Sequence, residues 1–121
     1  MDFFKNLSPH VHWAIRLSLA ATFIYHGVGK FPVEGPMMGM PTAVVWLLAI
    51  AEIIAGILLI VGARTMELLT RLGSLIVIVV MIGAIVLVHA KNGFNVMNGG
   101  MEFQLLMLAC GLYLLVKGNE A

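Results

Sequence analysis

The sequence predicts an all-α protein, a four-helix transmembrane bundle of up-down-up-down topology. Hydrophobic residues make up 61% of the chain and charged residues only 11%, whereas soluble domains are about half apolar and roughly 25% charged. Four long apolar runs are separated by short stretches rich in glycine, proline, asparagine or charge. A membrane-spanning helix needs about 20 residues, so four crossings and their short loops account for the whole sequence. We therefore expect residues 1–121 to form a single integral membrane domain.

The first predicted helix covers 9–29. Ser8 is a favourable N-cap, and Pro9 is favourable as the first residue of a helix. Arg16 would interrupt the apolar core of a cleaved signal peptide, so we expect this segment to remain as a membrane helix. The eight residues before it, MDFFKNLS, are expected to lie at the membrane interface as a lead-in.

The other three helices are predicted at 41–61, 65–89 and 101–117. Thr65 is a plausible N-cap for the third helix, and Gly118 is a typical C-terminal stop for the fourth. The β-branched run within the third helix would also suit a strand. A helix is favoured because backbone exposed to lipid must satisfy its own hydrogen bonds.

Basic residues near the helix ends predict the orientation in the membrane. Four of them lie on the side of the two termini and two lie on the opposite side. Because basic residues favour the cytoplasmic side, we expect both termini in the cytoplasm and a multi-pass protein of the prokaryotic inner membrane. The four are Lys5, Arg64, Arg71 and Lys117, and the two are Lys30 and Lys91.

Several function classes are disfavoured by composition. The single cysteine, Cys110, excludes an intrachain disulfide and a Cys-x-x-Cys redox pair. A net charge of +1 without a basic tract argues against nucleic acid as a partner. The 121 residues contain no HExxH motif, phosphate loop, dinucleotide fingerprint or paired-histidine haem helix. We therefore expect no resident cofactor and no metal site with a recognised motif.

Arg16 and Glu52 are the ionisable residues predicted to lie deepest in the membrane. Arg16 lies about twelve residues before the end of the first helix, and Glu52 lies about ten residues after the start of the second. At 1.5 Å per residue, the two side chains are expected at similar depth. An Arg16–Glu52 ion pair is therefore expected, because an isolated charge at that depth is costly. Such a pair could be architectural, or it could couple to protons or a ligand, and both interpretations stay open.

A second polar group is predicted at the outer ends of the helices. His26 and Lys30 lie at the end of the first helix, His89 lies at the end of the third, and Glu102 lies at the start of the fourth. In an up-down-up-down bundle these ends share one side, so together they predict a polar vestibule with a Lys30–Glu102 salt bridge. Singly, each would be an interfacial side chain that reaches towards water.

The loop between the first two helices contains a methionine cluster. Met37, Met38 and Met40 could supply soft thioether ligands, and thioethers with imidazole suit Cu(I). Methionines in membrane proteins more often face lipid or fill packing gaps, so these three are secondary candidates for a metal site.

The motifs also resemble those of a known family when they are taken in chain order. They are Arg16, then HGVGKF with Gly27 and Lys30, then Glu52, Gly56, Gly62 and Arg64, then GAIVLVHAKNGF, and finally NGGMEFQLL. In this order and spacing the chain resembles the DoxX family of small prokaryotic membrane proteins over nearly its whole length. It departs from the usual pattern at Met101, where an aromatic residue is common, and in its methionine-rich loop.

The resemblance implies a four-helix membrane protein with both termini inside. Relatives in that family include a small subunit of an archaeal thiosulfate:quinone oxidoreductase, a factor for amine dehydrogenase maturation and partners in membrane redox complexes. Animal relatives assist receptor assembly. The resemblance therefore implies a link to membrane redox chemistry or to the assembly of other proteins.

Three functions follow from these observations. The first is a membrane component of a redox system that interacts with a quinone or similar small molecule, its redox centre lying in the quinone or in a partner protein. The second is a non-enzymatic anchor or assembly partner for other membrane proteins, and the third is a small-solute transporter, expected as a homo-oligomer. No catalytic residue is assigned. The candidates for ligand binding or proton relay are Arg16, His26, Lys30, Glu52, His89 and Glu102.

Overall fold

The structure is a computed structural model that describes residues 2–37 and 39–121. It contains five α-helices and, within the described residues, no β-strand, which confirms the all-α prediction. A π-helical turn and a 3₁₀ turn extend α4, and further 3₁₀ turns lie before and after α5. The helices are α1 (Asp2–Leu7), α2 (His12–Gly29), α3 (Thr42–Arg64), α4 (Glu67–Ala84) and α5 (Glu102–Lys117); the π-helical turn is Ile85–His89, and the 3₁₀ turns are Ala90–Asn92, Val96–Asn98 and Gly118–Glu120.

The start of the first long helix differs from the prediction. Residues 8–11 form a turn, and α2 begins at His12 with Val11 as its N-cap residue. The expected N-cap role of Ser8 is therefore wrong. The lead-in before it forms a short helix of its own, α1, with no buried residue. Phe3 and Phe4 pack edge to face there and remain mostly exposed.

The other boundaries lie near the predicted ones, with one irregular end. The α3 helix continues to Arg64, past the predicted end at 61. Regular α-helix in α4 ends at Ala84, and the π-helical turn carries the chain on to His89. The α5 helix ends at Lys117, and Gly118 follows with a φ of 57°, a left-handed conformation that glycine tolerates. The predicted stop at Gly118 is confirmed.

Glycines bring α2 and α3 close together in antiparallel orientation. A Cβ on Gly27 would lie 2.8 Å from the Ala49 carbonyl oxygen, and one on Gly56 would lie 2.6 Å from the Ile24 side chain. The end of α2 thus faces the first half of α3, and the contacts move back along α2 as α3 proceeds. Small residues permit this close approach of helix backbones in apolar surroundings.

The remaining helices pack in sequence, α3 on α4 and α4 on α5. Gly62 faces Thr70 while Gly73 faces Leu58, so α3 and α4 are antiparallel. Gly111 faces Val77 while Gly118, just after α5, faces Glu67, so α4 and α5 are antiparallel as well. The interface between α2 and α5 is much smaller. The core consists of apolar side chains from all four long helices: Leu19, Phe23, Ala55, Leu59, Val77, Met81 and Leu114.

Within the described residues, two helical stretches are long and apolar enough to span a membrane. They are Thr42–Arg64, which is α3, and Glu67–Leu87, which is α4 with most of its π-helical turn. Away from their charged ends, these stretches expose large apolar side chains: Leu47 is 69% exposed and Val79 is 61% exposed. An apolar outer surface of this kind requires lipid or protein to cover it.

Candidate functional site

Arg16 lies at the centre of the most deeply buried polar cluster. It is 0% exposed, although its guanidinium is charged. Its Nη1 donates to the Leu59 carbonyl oxygen at 2.7 Å and to Thr70 Oγ1 at 2.9 Å. Nε donates to His12 Nδ1 at 2.8 Å, so that imidazole nitrogen carries no proton. The hydrogen bonds of Arg16 therefore join α2, α3 and α4.

Asn119 completes this cluster from beyond the end of α5. Its Oδ1 accepts from Arg16 Nη2 at 2.9 Å and from Thr70 Oγ1 at 2.7 Å, and its Nδ2 donates to the Gly62 carbonyl at 2.9 Å. Its backbone N–H donates to Glu67 Oε1 at 3.1 Å. Asn119 and Thr70 were not among the residues predicted from the sequence. Their polarity was visible there, but nothing in their spacing joined them to an arginine so far away along the chain.

The predicted pairing of Arg16 with Glu52 is wrong. The prediction assumed that the C-terminal end of α2 and the N-terminal end of α3 lie at the same height along the bundle. Instead Gly27 faces Ala49 and Ile53, so the N-terminal part of α3 extends beyond the C-terminal end of α2 by roughly six residues, or about 9 Å. This offset places Glu52 level with the end of α2 and leaves Arg16 level with Leu59.

Glu52 instead forms a buried ion pair with Lys30. Lys30 Nζ lies 2.6 Å from Glu52 Oε1, and the two side chains are only 11% and 7% exposed. Lys30 Nζ also donates to the His26 carbonyl oxygen at 3.3 Å. The predicted Lys30–Glu102 salt bridge is therefore wrong as well. The structure joins two candidate residues that the sequence had placed in different clusters.

An open groove runs along the outer face of α2 beside this ion pair. Its volume is about 810 Å³, and its lining is mostly apolar. From Leu17 to Lys30 the groove extends along about 20 Å of helix. Tyr25 and His26, whose rings pack edge to face, lie with Lys30 where the groove meets the C-terminal end of α2. The residues that line it are Leu17, Ala21, Ile24, Tyr25, His26, Val28, Gly29, Lys30 and Ile60.

His89 belongs to a separate polar group at the junction of α4 and α5. Its Nδ1 lies 2.7 Å from the Gly99 carbonyl oxygen, and its Nε2 lies 3.3 Å from Gln104 Nε2. Glu102, the first residue of α5, donates its backbone N–H to the Phe94 carbonyl in the same loop. The predicted vestibule thus has two parts, with the contacts of Lys30 between α2 and α3 and those of His89 between α4 and α5. Gln104 was missed.

The methionine candidates for Cu(I) lie in the loop between α2 and α3. Met37 and Met40 form a pair of backbone hydrogen bonds to each other, at 3.2 and 2.8 Å. Met38 lies outside the described residues. Within 2–37 and 39–121, no group of three or more histidine, cysteine, aspartate or glutamate residues is placed to hold a metal ion.

Together the apolar helices and the buried charges define a helical membrane protein. The family model named DoxX matches residues 12–90, and the chain belongs to the DoxX family. This match contains Arg16, Lys30, Glu52 and His89, and it ends at Ala90. The resemblance drawn from the sequence motifs is confirmed.

A curated relative extends the comparison over most of the chain. It is a Bacillus subtilis protein named "Putative oxidoreductase CatD", 30% identical over 112 residues, which cover 88% of this chain and 78% of the relative. No solved structure matches the chain.

Proposed function

We propose that this DoxX protein is a membrane component of a redox system and binds a quinone in the groove beside α2. The single observation that carries the proposal is the groove itself, which is apolar along its length and ends at Tyr25, His26 and Lys30. The name of the Bacillus subtilis relative, an oxidoreductase, supports a redox setting.

The proposed setting is a four-helix bundle in the prokaryotic inner membrane. In this arrangement α2 to α5 cross the bilayer in alternating directions, with both termini in the cytoplasm. The antiparallel contacts and the two apolar spans support it. At 1.5 Å per residue, the 18 residues of α2 extend about 27 Å, close to the roughly 30 Å hydrocarbon thickness. The distribution of basic residues supports the orientation.

The shape and polarity of the groove fit an amphipathic ligand with an isoprenoid tail. Leu17, Ala21 and Ile60 offer an apolar channel that opens sideways towards lipid. An isoprenoid tail that lies there would bury apolar surface, and this burial would stabilise binding by about 25 cal/mol for each Å² removed from water. The outer end supplies hydrogen-bond donors, which a quinone's carbonyl oxygens can accept.

The second element of the proposal is a partner protein that exchanges electrons with the bound quinone. In this scheme the chain contributes the binding site and the partner contributes the redox centre. In this scheme the Lys30–Glu52 ion pair stabilises the part of the site that binds the head group. The hydrogen bonds of Arg16 connect the helices at the opposite end of the bundle.

Photolabelling tests the proposal. The protein in lipid nanodiscs would be labelled with a tailed azidoquinone and digested, and label is expected on peptides from α2 and from the part of α3 near Ile60. Ala21→Trp, which fills the groove, should reduce labelling several-fold. Leu75→Trp places the same side chain on the exposed face of α4, where Leu75 is 46% exposed, and should leave labelling unchanged.

Two results would refute the quinone assignment. One is labelling spread evenly over the lipid-facing helices. The other is labelling that Ala21→Trp and Leu75→Trp reduce equally, since that pattern would reflect general partitioning of the probe into the membrane.

A further inference from the structure

The ammonium of Lys30 has one hydrogen-bond donor more than the described residues use. A lysine ammonium has three N–H donors and no acceptor. The described residues provide two acceptors for it, Glu52 Oε1 at 2.6 Å and the His26 carbonyl oxygen at 3.3 Å. Lys30 lines the groove while its side chain is only 11% exposed. The third donor has no acceptor among the described residues, and the Lys30 side chain is largely shielded from water.

We propose that Lys30 makes the groove selective for the oxidised form of a quinone over the reduced quinol. This inference rests on the proposed function and adds to it the redox state of the bound ligand.

The preference for quinone over quinol depends on the head-group oxygen that lies next to Lys30. A quinone oxygen is an acceptor only, and it matches the free N–H of Lys30. A quinol oxygen carries a hydroxyl proton and is a weaker acceptor. Its O–H would face an ammonium that cannot accept, and a donor left without a partner in a buried site is costly.

Glu52 maintains this arrangement in two ways. Its carboxylate lies 2.6 Å from Lys30 Nζ and balances the charge of that ammonium, a group that only donates hydrogen bonds. Glu52 is not among the described residues that line the groove, so its carboxylate oxygens are not placed to accept from a quinol hydroxyl there. Tyr25 and His26 carry groups that can donate or accept and can serve either ligand form at the rim of the groove. The selectivity therefore depends on Lys30.

Competition between the two redox forms tests the inference. The wild-type protein in nanodiscs would be labelled with the azidoquinone under anaerobic conditions, in the presence of increasing decylubiquinone or its quinol. We expect the oxidised competitor to be about tenfold more effective, the ratio typical of one hydrogen bond to a charged group.

Two variants separate the role of Lys30 from folding. Lys30→Met leaves Glu52 as an unpaired buried carboxylate and could prevent folding. The double variant Lys30→Met/Glu52→Met removes both charges and keeps an apolar interior, so it is expected to fold. It should still bind the tail but lose the preference, with the two competitors equal within about twofold. Lys91→Met, in the outer loop, is the matched control and should keep the wild-type ratio.

The outcomes distinguish this inference from the proposed function. If neither form competes in the wild type, the quinone site itself is wrong. If both forms compete equally in the wild type, or if the double variant keeps the preference, the site stands but Lys30 does not select the redox state.

Discussion

Thr70 Oγ1 accepts a hydrogen bond from Arg16 Nη1 at 2.9 Å and lies 54 positions further along the chain. The same hydroxyl donates to Asn119 Oδ1 at 2.7 Å. One buried hydroxyl thus connects the charged centre of α2 to the segment that follows α5. Within the described part of the chain, Arg16 donates its hydrogen bonds to neutral groups. Each of these acceptors therefore matters for holding a buried charge.

Replacing Thr70 by valine is therefore expected to destabilise the protein. Valine keeps the shape but removes the hydroxyl, so the buried Arg16 guanidinium loses an acceptor and Asn119 loses a donor. The expected loss is about 1–3 kcal/mol, the cost of leaving a buried polar group without its partner. The measurement is the unfolding midpoint in a mild detergent, followed by circular dichroism.

Thr65→Val is the matched control for this substitution. Thr65 is exposed, and its hydroxyl bonds only to the Val61 carbonyl one helical turn back. We expect a change within about 0.5 kcal/mol, as is usual for surface positions. Equal effects of Thr65→Val and Thr70→Val would show that the Arg16 cluster contributes nothing particular.

The Lys30–Glu52 pair gives a second prediction. Glu52→Gln should cost about 3 kcal/mol or more, because the Lys30 ammonium then remains buried without a counter-charge. The double variant Lys30→Met/Glu52→Met should recover most of that stability, since apolar residues of similar volume often replace a buried ion pair without loss.

A double-mutant cycle measures this coupling. Unfolding free energies of the wild type, Lys30→Met, Glu52→Met and the double variant give the interaction energy directly. A pair 2.6 Å apart should be strongly coupled. Additive single and double effects would contradict the ion pair.

The sequence was sufficient for the helical class and for the family, because both depend on local patterns. Apolar runs and turn residues located four long helices to within a few residues, and motif order matched the DoxX pattern. The expectation that Arg16 and Glu52 lie buried also agrees with the structure.

The pairing of those residues was not predictable in the same way. It depends on the offset between α2 and α3, and the close contacts at Gly27 and Gly56 set that offset. Depth counted from helix ends contains no such information. For the same reason the link from Arg16 to Asn119 was missed, because it depends on where the chain turns after Gly118.

The contact between α2 and α3 at Gly56 yields the last prediction. A Cβ at this position would lie 2.6 Å from Ile24 Cγ1 and 3.0 Å from the Ala20 carbonyl oxygen. Gly56→Val must therefore push the two helices apart, with an expected cost of about 1–3 kcal/mol from overpacking. Separation of the helices would also move Lys30 away from Glu52, so azidoquinone labelling in the groove should fall together with stability.

Gly83→Ala is the matched control for this contact. No atom lies within 4 Å of a Cβ built on Gly83, and alanine has the higher helix propensity. This variant should be neutral or more stable by up to about 1 kcal/mol, with unchanged labelling. If Gly56→Val unfolds at the wild-type midpoint and keeps full labelling, the two helices are not held in the register that joins Lys30 to Glu52.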